Sequence, residues 1–437
     1  MSPKKRYAIV GTGSRSRMFR DAILQTYADT CELVALCDSN PLRAAVWQSD
    51  INLNLPVYGP ANFEEMLRVH RVDTVIVTSI DRTHHDYICR AMKAGCDAIT
   101  EKPMTIDSDK CAQILETRER TGKNLTVTFN YRYAPRNSRV KELLQSGVIG
   151  TVTSVHFEWL LDTQHGADYF RRWHRDKRNS GGLMVHKSTH HFDLVNWWLD
   201  SQPETVMAMG DLRFYGRANA EERGEPRHYF RSTDNPAAAG DPFALDLHKE
   251  PDLKRMYMDC ESADGYVRDL NIFGDGISIE DDVGVMVRYR NRTVMTYHLT
   301  AFSPWEGYRV AFNGTKGRLE FDVTEKAYVS GGEGDHNLAK NIRGAAGHEV
   351  LEPTTLLYRP HWGPPQKIDV PETNSGGHGG ADSIMLADVF SPKSSADPLK
   401  RAAGHKAGAL SIMTGIAANR SMATGLPVNI RDLLPAS

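Results

Sequence analysis

Residues 7–16 have the sequence YAIVGTGSRS, a short apolar run followed directly by a glycine-rich turn. The run predicts a buried strand, and a helix is predicted over residues 15–27. Gly11 permits a tight turn, and Gly13 lets a ligand approach the backbone where the helix begins. Ser16 replaces the third glycine of a dinucleotide fingerprint, but it is small enough for a helix to pack on a strand. The turn alone is also compatible with an ordinary loop.

An acidic residue follows the second predicted strand at the spacing of a dinucleotide site. Residues 33–37 (LVALC) are apolar, and Asp38 comes directly after them. Asp38 can accept both ribose hydroxyls of an adenosine and repels a 2′-phosphate, so the sequence favours NAD over NADP as cofactor. Arg43 is a cation that could offset this repulsion. The candidate cofactor-binding residues are Gly11, Gly13, Ser14, Arg15, Asp38, Ser79, His84, Glu101 and Lys102.

Strand and helix patterns continue to alternate as far as residue 129. The predicted strands are 73–78, 97–100 and 125–129, and the predicted helices are 86–93 and 108–120. This alternation predicts a parallel, doubly wound α/β sheet, and therefore an N-terminal NAD-binding Rossmann domain over residues 1–129.

Two loops are predicted at the carboxyl edge of this sheet, where open α/β sheets bind their ligands. Glu101-Lys102-Pro103 follows the strand 97–100, which places the Lys102 cation beside the expected nicotinamide. The loop 79–85 (SIDRTHH) follows the strand 73–78. Within it, His84 either belongs to the cofactor site or only begins the next helix.

The pattern changes after residue 130. Period-two apolar runs predict strands at 153–159, 205–209, 283–290, 293–299, 308–314 and 318–322. No rhythm of parallel crossovers accompanies them, so a mainly antiparallel sheet is predicted. Residues 215–254 and 337–371 are predicted to be irregular, and helices are predicted at 139–145 and 401–422. We expect a second α/β domain over residues 130–437, which would bind the substrate.

The segment GGLMVHKSTHHFD, residues 181–193, carries the densest chemistry of the chain. On a helix that continues to Leu199, His186, His190 and Asp193 would share one face. Such a face could transfer protons, because imidazole titrates near neutral pH. It could also bind a metal through two histidines one turn apart, or the histidines could be structural. We favour proton transfer and predict no metal.

Two further segments suit a sugar ligand. Residues 162–174 mix aromatic, basic and acidic groups, which stack on sugar rings and bind hydroxyls, although a loop with packed aromatic residues has the same composition. In residues 374–382, glycines flank a histidine and would let the backbone close on a ligand. The candidate substrate-binding residues are Tyr131, Arg132, His165, Tyr169, Arg172, Trp173, Lys187 and His378.

The composition excludes several classes of protein. Lysine and arginine total 53 against 55 aspartate and glutamate residues, so no broad basic field favours nucleic acid. No run of about twenty apolar residues predicts a membrane span. The first residues lack the apolar segment of a signal peptide, and the six cysteines form no Cys-x-x-Cys pair. We therefore expect free thiols and a cytoplasmic location.

These motifs together resemble the Gfo/Idh/MocA oxidoreductases, a family that includes glucose–fructose oxidoreductase and inositol dehydrogenase. The likeness is carried by the glycine turn, Glu101-Lys102-Pro103, NYRY at 130–133, residues 181–193 and the tail 417–428. It implies a Rossmann domain followed by an α/β domain with a large open sheet, which often forms the oligomer interface. A homodimer or homotetramer is therefore expected. The resemblance also implies that Lys102 polarises the reacting oxygen and that His190 is the catalytic histidine.

The chain departs from this family at His186, where an aspartate is usual. A second imidazole stands there, and we expect it to hold or relay the proton as a third catalytic residue. An aspartate at this position is expected to restore the family's pairing and raise the pKa of His190. The segment GHGGAD, residues 377–382, resembles a motif of NAD-dependent N-acetylgalactosaminidases.

Two functions are compatible with these features. The first is NAD-dependent oxidation of a secondary hydroxyl of a sugar, glycoside or cyclitol by hydride transfer to nicotinamide. The alternative is a glycoside hydrolase that uses tightly bound NAD through transient oxidation, elimination, hydration and re-reduction. A nucleotide-sensing protein without catalysis is disfavoured by the presence of Lys102 and His190.

Overall fold

The computed structural model describes residues 3–329, 354–371, 380–391 and 397–433. Its first half is a six-stranded parallel sheet with the strand order β3-β2-β1-β4-β5-β6. The strands are β1 Lys5–Val10, β2 Cys31–Cys37, β3 Val57–Tyr58, β4 Thr74–Val77, β5 Asp97–Thr100 and β6 Leu125–Val127. This order is that of a doubly wound sheet, so the predicted Rossmann fold is confirmed.

The helices of the first half are α1 Arg17–Asp21, α2 Pro41–Ser49, α3 Phe63–Val69, α4 His84–Lys93, α5 Ser108–Thr121 and α6 Pro135–Gln145. Of these six helices, α2 and α5 have a side-chain N-cap. Asp107 caps α5 by accepting from the Lys110 N–H, and Gly122 ends it at φ +66°. After α1 the chain continues as a π-helix over Ala22–Thr26, so the single helix predicted at 15–27 is interrupted.

The second sheet has nine strands in the order β14-β13-β12-β11-β7-β10-β9-β8-β15. Its strands are β7 Val152–Asp162, β8 Pro203–Asp211, β9 Asp282–Tyr289, β10 Val294–Ser303, β11 Glu306–Gly314, β12 Gly317–Lys326, β13 Thr354–Pro360, β14 Gln366–Lys367 and β15 Val428–Asn429. The sheet is mainly antiparallel, as predicted, but β7 and β10 pair in parallel. Parallel neighbours need a long connection, and the chain between β7 and β10 supplies one.

The remaining helices cover one face of the second sheet or connect its strands. They are α7 Thr163–Arg171, α8 Lys177–Ser180, α9 Leu183–His186, α10 Thr189–Leu199, α11 Arg217–Glu222, α12 Pro251–Met256, α13 Glu261–Asp264, α14 Ala381–Phe390 and α15 His405–Thr424. The continuous helix predicted up to Leu199 is wrong, because Lys187 and Ser188 separate α9 from α10. Strand β13 was missed, since it lies within a segment predicted to be irregular.

Burial follows the expected alternation. In β10, Met295, Tyr297 and Leu299 are buried while their neighbours are accessible, so one face of the sheet meets the helices. The chain also returns to the Rossmann sheet before α15, where the Val127 N–H donates to the Ala403 carbonyl oxygen. All six cysteines are buried and free, which confirms the prediction of free thiols. Within the described ranges, no helix is both long and apolar enough to cross a membrane.

Helix α15 fixes the position of α9, and this contact yields a stability prediction. A Cβ added at Gly415 would lie 2.3 Å from the Met184 carbonyl oxygen, so Gly415→Ala must push the two helices apart. We expect it to lower the free energy of unfolding by about 2 kcal/mol, although alanine normally favours a helix. Denaturant unfolding measures the effect.

Gly408→Ala on the same helix is the matched control. There the nearest atom to an added Cβ is the Met104 sulfur at 2.8 Å, the end of a flexible side chain. We expect a clearly smaller destabilisation for this variant. Equal unfolding midpoints for the two variants would contradict the assigned role of Gly415.

Candidate functional site

The glycine-rich turn has the shape that a dinucleotide requires. Gly11 has φ +88°, and an added Cβ would lie 2.7 Å from the Ser79 nitrogen, so only glycine fits between β1 and the loop after β4. At Gly13 an added Cβ would meet, among described atoms, only the Tyr257 hydroxyl at 3.8 Å. The backbone in front of Gly13 is therefore accessible to a ligand, and these residues fit a diphosphate.

Asp38 stands at the end of β2, buried with 8% of its surface exposed. Its carboxylate accepts from the Thr12 N–H at 2.6 Å, the Thr12 hydroxyl at 2.7 Å and the Asn40 N–H at 2.8 Å. The carboxylate is thus held beside the turn. Arg43 donates to Asp264 at 2.9 Å and to the Met256 carbonyl at 3.2 Å, so its guanidinium is already paired.

Two predicted cofactor-binding residues pair with each other. Arg15 Nε donates to the buried Glu101 carboxylate at 2.9 Å, and its Nη1 lies 3.5 Å from Asp382. Asn130 donates to the same Asp382 at 2.7 Å. This network ties the glycine turn to the Glu101-Lys102-Pro103 segment and to α14.

Ser79 and His84 hold the loop after β4. The His84 ring nitrogens lie 2.8 Å from the Pro103 carbonyl oxygen and 2.9 Å from that of Ser79, and the ring is buried. The Ser79 hydroxyl is 2.8 Å from that of Thr83. His84 therefore links this loop to the segment that carries Lys102, which is a structural role at the site.

Lys102 projects from the carboxyl edge of the first sheet towards α9. Its ammonium donates to the His186 carbonyl oxygen at 2.9 Å. Burial lowers the pKa of Lys102 to about 8, although the carboxylates of Asp81 and Glu101 oppose this effect. A lysine with such a pKa changes its charge close to neutral pH.

His186 meets a carboxylate that the sequence reasoning did not single out. Its Nδ1 lies 2.5 Å from Oδ2 of Asp81, which is buried in the loop after β4. Burial raises the pKa of Asp81 and lowers that of His186, so burial disfavours the charged form of each group. A carboxylate of the first sheet domain thus contacts the residue at position 186, where the family resemblance predicts an aspartate. An aspartate at 186 would face Asp81, which argues against a simple restored pairing.

The helix face expected to join His186 to His190 and Asp193 is interrupted, because α9 ends at His186 and α10 begins at Thr189. Asp193 forms a buried two-point ion pair with Arg132, with N···O distances of 2.6 and 2.7 Å. Arg132, expected to bind substrate, therefore has a structural partner. His190 instead stacks on Tyr131 with ring centroids 4.4 Å apart. The break between α9 and α10 explains the different surroundings of the two histidines.

Aromatic rings surround the His186 imidazole. His174, which the sequence reasoning missed, contacts it edge to face with centroids 4.3 Å apart, and Trp173 stacks on His174 at 3.6 Å. Tyr169 lies 5.6 Å from His186, also edge to face. Burial lowers the pKa of His174 well below its usual value, so it is neutral near pH 7. Tyr169 and Trp173 are thus beside the candidate catalytic groups, as their assignment to the substrate requires.

A second cluster of polar side chains lies where β7 ends and β11 begins. His165 Nδ1 is 2.8 Å from the Glu306 carboxylate, and His165 Nε2 is 3.4 Å from the Tyr169 hydroxyl. Burial would raise the pKa of Glu306, but His165 and Lys187 lower it to about 2. The Lys187 ammonium lies over the Trp159 ring, 4.8 Å from its centroid.

Arg172, which is partly exposed, belongs to a cationic cluster next to the aromatic rings around His186. Asp168 accepts from Arg172 at 2.9 Å and from Arg268 at 2.8 Å, and Arg171 lies 3.7 Å away. Three guanidinium groups thus share one carboxylate. A cavity of about 780 Å³ opens beside Arg172 and Trp173, which is large enough for a sugar.

His378 lies outside the described residues. For metals, the described part of the chain contains no group of three or more histidine, cysteine, aspartate or glutamate side chains that could hold an ion.

Comparisons with known proteins agree with this architecture. Residues 5–129 match the model of an oxidoreductase family with an NAD-binding Rossmann fold, and residues 141–430 match the C-terminal α/β domain of the same family. YteT of Bacillus subtilis (strain 168), which is named as an oxidoreductase, is 36% identical over 98% of each chain. An inositol 2-dehydrogenase/D-chiro-inositol 3-dehydrogenase of Lactiplantibacillus plantarum is 24% identical over 43% of this chain and 51% of its own length.

The fold also matches solved structures. An oxidoreductase from Agrobacterium radiobacter, solved in complex with NAD⁺, L-tartaric acid and magnesium, superposes with a TM-score of 0.62. The match covers 99% of this chain and all of the other, at 15% identity. The two family matches, together with the full-length relative, establish that this chain belongs to the Gfo/Idh/MocA oxidoreductase family.

Proposed function

We propose that the protein oxidises a secondary hydroxyl of a sugar, glycoside or cyclitol with NAD as hydride acceptor. The observation that carries this proposal is the convergence of Lys102, His186 and Asp81 at the carboxyl edge of the Rossmann sheet. The aromatic rings of Tyr169, Trp173 and His174 lie beside them. Bound NAD would supply the electrophilic carbon that takes the hydride. An inositol dehydrogenase among the relatives supports a polyhydroxylated substrate.

Lys102, His190 and His186 are proposed to have different roles in the proton transfer. Two N–H groups of the Lys102 ammonium remain to polarise the reacting oxygen after one donates to the His186 carbonyl. His190 is proposed to contact the hydroxyl and accept its proton. His186, oriented by Asp81, would then hold that proton inside the site, where the rings of Tyr169 and Trp173 limit access of water.

The location and the oligomeric state of the protein are part of the proposal. We propose a cytoplasmic homodimer or homotetramer in which copies meet through the accessible face of the nine-stranded sheet. Met209 and Met286 are exposed on that sheet, with 71% and 55% of their surface accessible. Large exposed apolar side chains on a sheet face favour burial against a second copy.

The first prediction tests the activity itself. Incubating the protein and NAD with a panel of sugars, glycosides and cyclitols should yield a ketone-bearing product, detected by mass spectrometry. Lys102→Ala should lower kcat by a factor of about a hundred to ten thousand while NAD binding is retained, because only the polarising cation is lost.

Lys93→Ala, which removes an exposed lysine on α4, is the control and should retain full activity. Turnover of Lys102→Ala close to that of wild type would refute its catalytic role. Absence of any oxidised product across the panel would refute the proposed activity.

The second prediction concerns the choice between NAD and NADP. Asp38 repels a 2′-phosphate, and Arg43 is paired with Asp264 and therefore not available to attract one. We expect NAD to bind at least about tenfold more tightly than NADP. Calorimetric titration of the wild type with both dinucleotides measures this ratio. Tighter binding of NADP would show that the Asp38 carboxylate does not set the preference.

The third prediction follows from the charge of Asp81. Its carboxylate raises the pKa of Lys102, so Asp81→Asn should lower that pKa below about 8. An asparagine at position 81 cannot hold a proton in place of His186. Any proton at this contact must then be held by the buried His186 alone, whose pKa burial lowers. Both limbs of the pH profile of kcat/KM should therefore move to lower pH, with a maximum about a hundredfold smaller.

Asp86→Asn is the matched control for this prediction. It removes an exposed carboxylate that pairs with Arg90 on α4, so its pH profile should overlay that of the wild type. If Asp81→Asn lowers the maximum of kcat/KM but leaves both limbs of the profile at their wild-type pH, then Asp81 only orients His186.

A further inference from the structure

The chain between β8 and β9 builds much of the cavity beside Trp173. These strands are antiparallel neighbours that a short turn could join, yet residues 212–281 lie between them. The lining of the cavity comes from residues 172–179 and from residues 217–276 of this connection. No described residue of the Rossmann domain lines it. The cavity therefore belongs to the second domain, and we call it the outer cavity.

The outer cavity adjoins the candidate catalytic groups. Trp173 lines it, and the centroid of the Trp173 indole lies 5.8 Å from that of the His186 imidazole, with the rings edge to face. The guanidinium-bearing Arg172 also lines the cavity. A sugar ring whose hydroxyl reaches Lys102 and His186 would therefore have the outer cavity next to it. A group linked to that ring could enter this space.

Four aromatic side chains line the outer cavity, namely Trp173, Tyr229, Phe230 and Tyr266. Phe230 stands at its opening, because 70% of its surface is exposed. A single exposed apolar residue needs no explanation by itself, but this one faces a concave site together with three other aromatic residues. Aromatic rings of this kind pack against the C–H faces of sugars in binding sites.

The backbone that carries Phe230 is held in place. The Phe230 carbonyl oxygen accepts from the Asn271 N–H at 2.9 Å, and Arg231 forms an antiparallel bridge with Leu270. The Asn271 side-chain amide donates to the Tyr229 carbonyl oxygen at 2.9 Å. An exposed ring on a fixed backbone loses little conformational entropy when a ligand binds. Phe230 is therefore preorganised for a ligand.

Polar groups accompany these rings. Arg175 donates to the carbonyl oxygens of Asn271 at 3.1 Å and Asp275 at 2.7 Å, which ties the two parts of the lining together. The Arg217 guanidinium pairs with the Asp275 carboxylate at 2.7 and 2.8 Å, and both side chains are accessible in the cavity. This pair offers donors and acceptors to sugar hydroxyls.

The size of the outer cavity exceeds what one sugar ring at the catalytic groups requires. Pockets of about 300–1,000 Å³ hold drug-sized ligands, and a single pyranose is smaller than these. The outer cavity has a volume of about 780 Å³. It therefore has room for a further ring beyond the one that reacts.

We propose that the outer cavity binds a second sugar ring, linked to the ring that is oxidised, so that the substrate is a disaccharide or a longer glycoside. Phe230 stacks on this second ring, and the Arg217–Asp275 pair binds its hydroxyls. The inference rests on the proposed function and deepens it, since it selects one class among sugars, glycosides and cyclitols. A monosaccharide or cyclitol would forgo these contacts.

The test measures sugar binding to the full-length protein by calorimetry in the presence of NADH, which cannot accept a hydride from a hydroxyl. The probes are cellobiose, maltose, lactose and digalacturonate, each compared with the methyl glycosides of its two rings. At least one disaccharide should bind about tenfold more tightly than its matched monosaccharides. Phe230→Ala should lower this affinity ratio about fivefold, and Phe230→Tyr should restore it.

Trp362→Ala is the matched control. Trp362 is 92% exposed between β13 and β14 and does not line the outer cavity, so its removal tests the loss of an exposed aromatic ring elsewhere. The affinity ratio of this variant should equal that of the wild type.

The outcomes separate this inference from the proposed activity. Tighter binding of a disaccharide that depends on the ring at position 230 supports the inference. Equal affinity for disaccharides and monosaccharides, binding of no disaccharide, or an unchanged ratio in Phe230→Ala overturns it. Oxidation of monosaccharides with the same kcat/KM as disaccharides would overturn the role of the outer cavity and leave the activity intact. Disaccharide binding that depends on Phe230, without oxidation of any sugar, would refute the activity and leave the outer cavity as a sugar site.

Discussion

The contact between Asp81 and His186 joins the two sheet domains at the point where the chemistry is expected. Asp81 comes from the loop after β4, whereas His186 ends α9 of the second domain. Lys102 makes a second contact of the same kind through the His186 carbonyl. The candidate catalytic geometry therefore exists only when both domains are docked. The close packing of α15 on α9 at Gly415 helps to hold α9, and with it His186, in this position.

Burial of these groups controls their protonation. Removing Lys102 and His186 from water favours their neutral forms, and it also favours the neutral form of Asp81. Lys102, with a pKa of about 8, therefore changes its charge nearer to neutral pH than a lysine in water does, which suits acid–base chemistry. The same burial would destabilise the fold if any of these charges lacked a partner.

Structural features that depend on local sequence patterns were predictable from the sequence. The parallel strands, the glycine turn and Asp38 follow from apolar periodicity and turn chemistry, and the structure contains them. Contacts between distant segments were not predictable in this way. Asp81 lies in a loop that was identified, but nothing in its neighbours indicates a partner about a hundred residues away. The Arg132–Asp193 ion pair and the parallel pairing of β7 with β10 were missed for the same reason.

Residues 251–268, which include α12 and α13, were missed for a different reason, because their composition is that of a surface loop. Two of their carboxylates pair with arginines of the Rossmann domain, Asp252 with Arg17 and Asp264 with Arg43. Met256 and Tyr257 enter the core of that domain, and these two apolar residues do not form a recognisable pattern in the sequence. The second domain thus contacts the Rossmann domain at two separate places, through His186 at Asp81 and through residues 251–268 beside the glycine turn. The shape of the crevice between these contacts is therefore a property of the domain interface rather than of the glycine turn alone.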